Sequence, residues 1–340
     1  MRLSLVAKPG TTERFQAVRQ IGAQDVVQYS VEERAAILEN LGSYVEQAER
    51  AGLRVSVIEA GPPIGKIVMG EEGWQEQTQD WIDAIKLCSK FGIEVICYNF
   101  MPQVFADAMV VRTTFQERTR GGAITSAFRS RDVDHENLVS GVTPISRDEM
   151  RANLARFLEA VVPVAEEFGV KLAMHPDDPP LSPMGGLHRI MSTVEDFDWL
   201  LEANPSQVNG ITFCIGCFAE LGCDLDALIN RFGSRIHFVH FRNISGRLDH
   251  FVETFPDDGD VDLLGVLKKL DEIGFEGCIR PDHAPQLSGE TVETEGYGFQ
   301  GHIFTAGYLR GLLTAVAAQK SAVGQEPSHP AVLTNDGVAV

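Results

Sequence analysis

The sequence predicts an α/β protein of the (β/α)8, or TIM-barrel, class with a β-hairpin inserted near the barrel mouth. Three observations carry this reading. Short apolar runs alternate with amphipathic segments along the chain, giving about eight strand–helix units. The first run is followed by Lys8-Pro-Gly-Thr-Thr12, not by the Gly-rich phosphate loop a doubly wound sheet more often carries there. Several later runs end in residues able to do chemistry, which is where parallel α/β proteins place it.

Taken in order, Leu3 to Ala7 is a first strand and Glu13 to Ile21 a short helix. The strand Asp25 to Tyr29 leads to a helix that Ser30 can cap with Glu33 as its capping-box partner, ending at Gly52. Leu53 to Glu59 is a third strand, Trp74 to Phe91 a helix closed by Gly92, and Ile93 to Phe100 a fourth strand. Residues 101–146 are too long for a simple connection and are read as a functional insertion or a lid. Within them, Thr114 to Arg120 and Ala123 to Arg129 flank Gly121-Gly122 as a hairpin. The helix Arg147 to Phe168, stopped by Gly169, precedes the strand Val170 to Met174. Helices at Val194 to Ala203, Leu225 to Phe232 and Val261 to Ile273 each lead to a further strand, and His302 to Ala318 closes the series. Residues 1–318 are thus expected to form one barrel domain, and 319–340 an aperiodic tail, disordered or reaching a neighbour.

With 340 residues, 44% of them hydrophobic, the chain can bury a large core. A net charge of −19 argues against nucleic acid or an anionic membrane as a partner, since both would be repelled. No run is long and apolar enough to span a bilayer, and the apolar part of Met1 to Lys8 is too short for a signal peptide, so a cytoplasmic protein is expected. Six cysteines in a chain of this size do not suggest a disulfide framework; Cys97 and Cys278, inside apolar runs, read as packing residues. Cys214-Ile-Gly-Cys217 has the form of a redox pair but follows a strand deep in the chain, with no thioredoxin-like context.

The centre of the sequence is Lys171-Leu-Ala-Met-His175-Pro-Asp-Asp-Pro-Pro180, where two prolines stop the strand and leave a histidine at its tip. Strands five to eight would bring together His175, Cys214, His240 and Asp282, two imidazoles, a thiolate and a carboxylate, able to hold a divalent cation. Each residue alone could be structural; four successive strand tips, each with a ligand type, favour the metal reading. His237, at an odd offset from His240, should face the helices. Asp177 and Asp178 would orient His175 or an arginine, or serve only the turn before proline.

These segments resemble a known family. His175-Pro-Asp-Asp-Pro-Pro180, Asn209 to Cys214, Val239-His-Phe-Arg-Asn243, Tyr98-Asn-Phe-Met-Pro102 and Arg280-Pro-Asp-His283 are similar, in order, to signature segments of mannonate dehydratases, over about Asp25 to Leu313. The resemblance implies a TIM barrel and loss of water from a six-carbon aldonic acid to give 2-keto-3-deoxygluconate. It also implies a divalent metal, Mn2+ first and Fe2+ second, where the thiolate alone would suggest zinc or iron. It makes His175, Cys214, His240 and Asp282 the metal ligands and His283 with Tyr297 the catalytic pair. Arg280, Arg242 and Arg112, with Asp177, Asp178 and Asn99, are candidates for substrate binding, each arginine equally able to be structural. A small sugar acid is the expected partner, and a homo-oligomer the expected assembly.

The chain departs from the family's pattern. The His- and Gly-rich loop after the early Val-Val strand is missing where Val26-Val-Gln-Tyr-Ser30 runs into its helix. Gln103 to Thr113 replaces the family's Asp-Trp-Thr-Arg-Thr, and Ala284-Pro285 follows Arg280-Pro-Asp-His283. Two other readings therefore stand beside the dehydratase: a metal-dependent sugar isomerase or epimerase on the same barrel, and a non-catalytic sugar-acid binding protein.

Overall fold

The computed structural model describes residues 1–8, 12–29, 36–102, 111–138, 142–291 and 295–323. Its centre is a closed barrel of eight parallel strands: β1 (Arg2–Val6), β2 (Asp25–Tyr29), β3 (Arg54–Glu59), β4 (Val95–Tyr98), β7 (Lys171–Met174), β8 (Asn209–Cys214), β9 (Ile236–Phe241) and β12 (Cys278–Pro281). The ring closes because β1 pairs with both β2 and β12. Strands β8 and β9 are buried along their whole length, one face against the barrel axis and one against the helices, as a doubly covered parallel sheet requires.

Between β4 and β7, β5 (Thr114–Arg118) and β6 (Ile124–Arg129) pair antiparallel. A second excursion follows β9, where β10 (Asn243–Arg247) and β11 (His250–Thr254) form another antiparallel pair. Strand β11 joins β6, so both excursions build one four-stranded sheet in the order β10-β11-β6-β5. The sequence reading found the first of these pairs and missed the second, whose residues read as a polar connection. The stacked rings of Phe128 and Phe251, 5.8 Å apart, weld the two halves.

Most helices follow from local signals. Arg147–Phe168 begins at a Ser146–Glu149 capping box and ends at Gly169, whose φ of 69° is the left-handed conformation a glycine adopts freely. Val194–Ala203 starts with the equivalent Thr193–Asp196 box. The short helices Gly65–Met69 and Ile215–Glu220 were not foreseen, being too brief to show periodicity. The last helix, Phe299–Val323, continues beyond the Ala318 stop expected for it, because Gln319 and Lys320 are good helix formers and no glycine intervenes before Gly324. The Ser30–Glu33 capping box, the start of the altered Gln103 segment and residues 324–340 lie outside the described residues. No described helix is long and apolar enough to cross a membrane.

Period-two alternation explains where the site lies. Val27, Val57, Cys97, Ala173, Phe238 and Cys278 form one apolar layer inside the barrel. Two residues further along their strands, the inward positions are Tyr29, Glu59, Asn99, His175, His240 and Arg280, and on β8 Cys214 follows Thr212. The apolar plug is thus roofed by a layer of polar and ionisable groups. His237, on the opposite face from His240, is buried, and burial followed by the charge of Lys171 lowers its pKa to about 3, so it is a neutral core residue. Cys97 and Cys278 lie in the plug as packing residues.

Candidate active site

Register brings the strand tips level. Cys214 pairs with His240 across β8 and β9, and Arg280 pairs with His240 across β9 and β12. His175 and Asp282 each stand just beyond the end of a strand. All four candidate ligands are buried. His175 Nε2 is 3.0 Å from His240 Nδ1, which is 3.7 Å from Asp282 Oδ2, and Cys214 Sγ lies 3.9 Å from that same oxygen.

These residues fit a divalent cation. Separations of 3.0 to 3.9 Å between ligand atoms are those of groups sharing an ion at about 2.0–2.4 Å. His175 Nδ1–H donates to Pro176 O at 2.7 Å, which turns the lone pair of Nε2 toward the cluster. Burial pushes the Cys214 thiol up, yet the hydrogen bond from Cys217 and the charge of Arg242 hold it well below its usual value, as a thiolate. Burial and then Arg280 work against a proton on His240, but Glu59 and Asp282 overcome both and hold its pKa well above the usual imidazole range. The field at this point draws positive charge, and a metal ion is the natural occupant.

The three arginines are held by acids. Arg280 makes two hydrogen bonds to Glu59, at 2.7 and 2.6 Å, and lies 3.1 Å from Asp282 Oδ1. Burial would raise the Glu59 carboxyl, but Arg280 and His240 bring it to about 2. Arg112 grips Asp178 with both terminal nitrogens, at 2.7 and 3.2 Å, and reaches Glu253 at 2.6 Å. Arg242 meets Glu253 at 2.5 Å, Glu220 at 2.9 Å, Asp178 at 3.0 Å and, through Nε, Asp282 Oδ2 at 3.0 Å. Gly216 makes room for it: a Cβ there would lie 2.4 Å from the guanidinium. Burial and the neighbouring Asp178 outweigh Arg242 and keep Glu220 protonated, well above the usual range. Two cations then face two anions, Asp178 and Glu253. Arg242→Met would leave those anions without half of their compensation in a dry interior. A loss of about 3–5 kcal/mol is expected, read as a lower urea midpoint; an unchanged midpoint would show that the charge is dispensable.

Beside this network, Tyr297 Oη and His283 Nε2 are 2.9 Å apart, and Tyr297 stacks on Tyr29 with centroids 5.8 Å apart. Burial, reinforced by Tyr29 and Asp282, pushes the Tyr297 phenol well above its usual pKa, so it keeps its proton. His302 Nε2–H donates to the Asp282 carbonyl at 2.5 Å and fixes the backbone that carries Asp282 and His283. A narrow pocket lined by Glu59, His175, Asp178, Arg280, His283 and Tyr297, among others, opens here.

Of the residues the sequence singled out, Asp177 alone is drawn away from this cluster. Its Oδ2 accepts from Ser192 Oγ and Met191 N, each at 2.8 Å, and Arg189 lies 3.4 Å from Oδ1. Adjacent residues of an extended chain point to opposite sides, so Asp177 anchors the loop while Asp178 faces the site. Asn99 Nδ2 donates to Pro176 O at 3.4 Å and lies 3.3 Å from His175 Nδ1, a position beside the histidine. Glu59, Glu220 and Glu253 were not foreseen. Glu59 ends β3 as a strand-tip carboxylate, a signal the reading could have used; Glu253 sits on an unforeseen strand.

A closed parallel barrel with ionisable groups converging on the C-terminal ends of its strands has the architecture of a barrel enzyme. Residues 3–144 and 137–323 match the family model described as D-mannonate dehydratase (UxuA). A mannonate dehydratase of Streptococcus pneumoniae (strain 70585) is 33% identical over 308 residues, covering 82% of this chain and 82% of its own. One from Thermotoga neapolitana is 34% identical over 325 residues, covering 83% and 87%. The crystal structure of mannonate dehydratase from Streptococcus suis serotype 2 matches with a TM-score of 0.81 and 32% identity, over 96% of this chain and 97% of that one. A 3-keto-D-glucoside 4-epimerase from E. coli matches with a TM-score of 0.59 over 91% and 100%, but at 13% identity it shows the fold alone. The chain belongs to the mannonate dehydratase family. It is accordingly a metal-dependent hydro-lyase, and the isomerase reading is not favoured.

Proposed function

We propose that the protein removes water from D-mannonate to give 2-keto-3-deoxy-D-gluconate. His175, Cys214, His240 and Asp282 would hold Mn2+, with Fe2+ as the alternative, and His283 with Tyr297 would move the protons. The observation that carries this reading is the 2.9 Å contact of His283 with Tyr297, beside two buried groups of ligand-type side chains that share Cys214: Cys214–His240–Asp282 and His175–Cys214–Cys217.

The chemistry asked of these residues is defined by the substrate. The C2 proton of an aldonate is weakly acidic, since its removal puts further negative charge next to a carboxylate. A divalent cation held by the cluster would supply the Lewis acidity that stabilises such charge. A base takes the C2 proton, an acid protonates the departing C3 hydroxyl, water leaves, and the resulting enol becomes the 2-keto acid. The 2.9 Å contact of His283 with Tyr297 supports giving these two transfers to that pair. Arg280 lines the pocket and would meet the substrate carboxylate, while Arg242 and Arg112, buried behind it, hold Asp178 and Glu253, and Asn99 sits beside His175. The narrow pocket limits water around the reacting carbons. The proposal includes a cytoplasmic homo-oligomer, compatible with a net charge of −19 and with no membrane-crossing helix among the described residues.

The test is an assay for 2-keto-3-deoxy acid on D-mannonate, using manganese-reconstituted protein and a metal-stripped control. Metal-dependent product is expected. Its absence from protein shown to hold the metal would overturn the substrate, and the same assay on other aldonates would locate the one used.

A further inference from the structure

Nothing so far gives Glu253 a part in the chemistry. We propose that Glu253 is a positioning residue for His283: its carboxylate accepts the Nδ1 proton of His283 and thereby makes Nε2 the acceptor that faces Tyr297. This rests on the reading of His283 and Tyr297 as the catalytic pair.

A count of protons supports it. His283 Nδ1 has two polar neighbours at 3.3 Å, Glu253 Oε1 and Arg112 Nη2. A neutral imidazole carries one N–H, so Nδ1 either donates to the carboxylate or accepts from the guanidinium. Arg112 has no terminal proton to give. Its two Nη1 protons go to Val111 O at 3.1 Å and Asp178 Oδ1 at 2.7 Å. Its two Nη2 protons go to Glu253 Oε1 at 2.6 Å and Asp178 Oδ2 at 3.2 Å. A bare Nδ1 lone pair would therefore be buried against a carboxylate with no donor, a costly arrangement. A protonated Nδ1 meets an acceptor. Glu253 Oε1 also accepts from Arg112 at 2.6 Å and Arg242 at 2.5 Å, so the His283 contact is a third and longer one. The carboxylate has room to share it, since it offers about four acceptor sites and its Oε2 is buried with no hydrogen-bond partner among the described residues.

When His283 acts as a base, with Nδ1–H committed to Glu253, Nε2 holds the lone pair. The hydroxyl of Tyr297, 2.9 Å away, must donate to it. Glu253, His283 and Tyr297 then form a line in which a buried carboxylate fixes the tautomer of a histidine and the histidine polarises a hydroxyl, the logic of a nucleophile–base–orienter triad applied to an acid–base pair. The carboxylate comes from β11, not from a barrel strand, so the covering sheet supplies a working part of the site.

The direct test is the tautomer. In zinc-loaded, diamagnetic enzyme with 15N-labelled histidine, the His283 ring resonances, assigned by their loss in His283→Gln, should show the proton on Nδ1 in the wild type. In Glu253→Gln the proton should move to Nε2, because the amide can turn a donor toward Nδ1. In the manganese enzyme, kcat of Glu253→Gln should fall by about 10²–10⁴-fold, with KM little changed and full metal content. A merely structural role would lower the thermal midpoint and leave the tautomer alone. A wild-type proton on Nε2, or wild-type kcat in Glu253→Gln, would overturn the proposal. Should that variant fail to fold, the wild-type spectrum decides alone. Failure of the catalytic pair itself is separate: His283→Ala turning over normally would remove the pair while the tautomer result stood.

Discussion

His283→Ala is expected to lower kcat by about 10²–10⁴-fold while the protein still binds about one equivalent of manganese. The two effects are expected to separate because both ring nitrogens of His283 have other partners, Tyr297 at 2.9 Å and Glu253 at 3.3 Å. The nearest candidate ligand atom on its neighbour, Asp282 Oδ1, is 3.8 Å from Nε2 and is held by Arg280. Single-turnover assays with metal analysis on the same samples would check this. Wild-type turnover would remove His283 from the chemistry, and loss of metal in step with activity would make it a ligand.

Asp282→Asn and His175→Ala should do the reverse and release the metal, each weakening the site by at least about 100-fold, since even supporting groups around a metal are worth 10–100-fold. Asp282 is the more telling change. Burial would raise its carboxyl, but His283, Arg280 and His240 hold it well below the usual range, so a full negative charge sits against the cluster. Neutralising it removes the anion that best offsets a divalent ion. The wild type should gain thermal stability on adding manganese and the variants should gain little. Uptake should also weaken as pH falls. His240 holds its proton to well above the ordinary imidazole pKa, and a metal must displace that proton, so lower pH favours the proton over the ion. A fully metallated His175→Ala/Asp282→Asn double variant would show that the wrong shell has been chosen.

The polar layer was legible in the sequence wherever two cues coincided: an apolar run with period-two alternation, and a proline or loop that fixed its end. His175 before Pro176, and Asp282 after Pro281, are of this kind, and the convergence of Cys214 and His240 followed from barrel geometry alone. The family resemblance then supplied the pairing of His283 with Tyr297, which stand 14 residues apart on a loop with no regular pattern. Glu59 obeys the same rule as the last residue of β3, so the strand pattern finds it as well. Glu253 was beyond reach for a physical reason. Its strand is five residues long and is stabilised by β6, so no local pattern of hydrophobicity specifies it. Asp177 and Asp178 looked alike because adjacent carboxylates carry no mark of direction; Arg189 on one side and Arg112 on the other decide between them.

The sheet over the mouth also bears on how the chain is made. Arg129 on β6 pairs with His250 on β11, 121 residues later in the chain. At ribosomal rates of about 5–20 residues per second, β6 waits roughly 6–24 s for its partner. For that interval it is an open sheet edge, with Phe128 lacking the Phe251 ring that later covers it. Charged residues on the waiting hairpin, among them Glu117 and Arg129 in an ion pair, are placed where they discourage the edge from pairing with another nascent chain. The strand that delivers Glu253 is also the one that ends this exposure, so the edge is covered before Asp282, His283 and Tyr297, later in the chain, join the site.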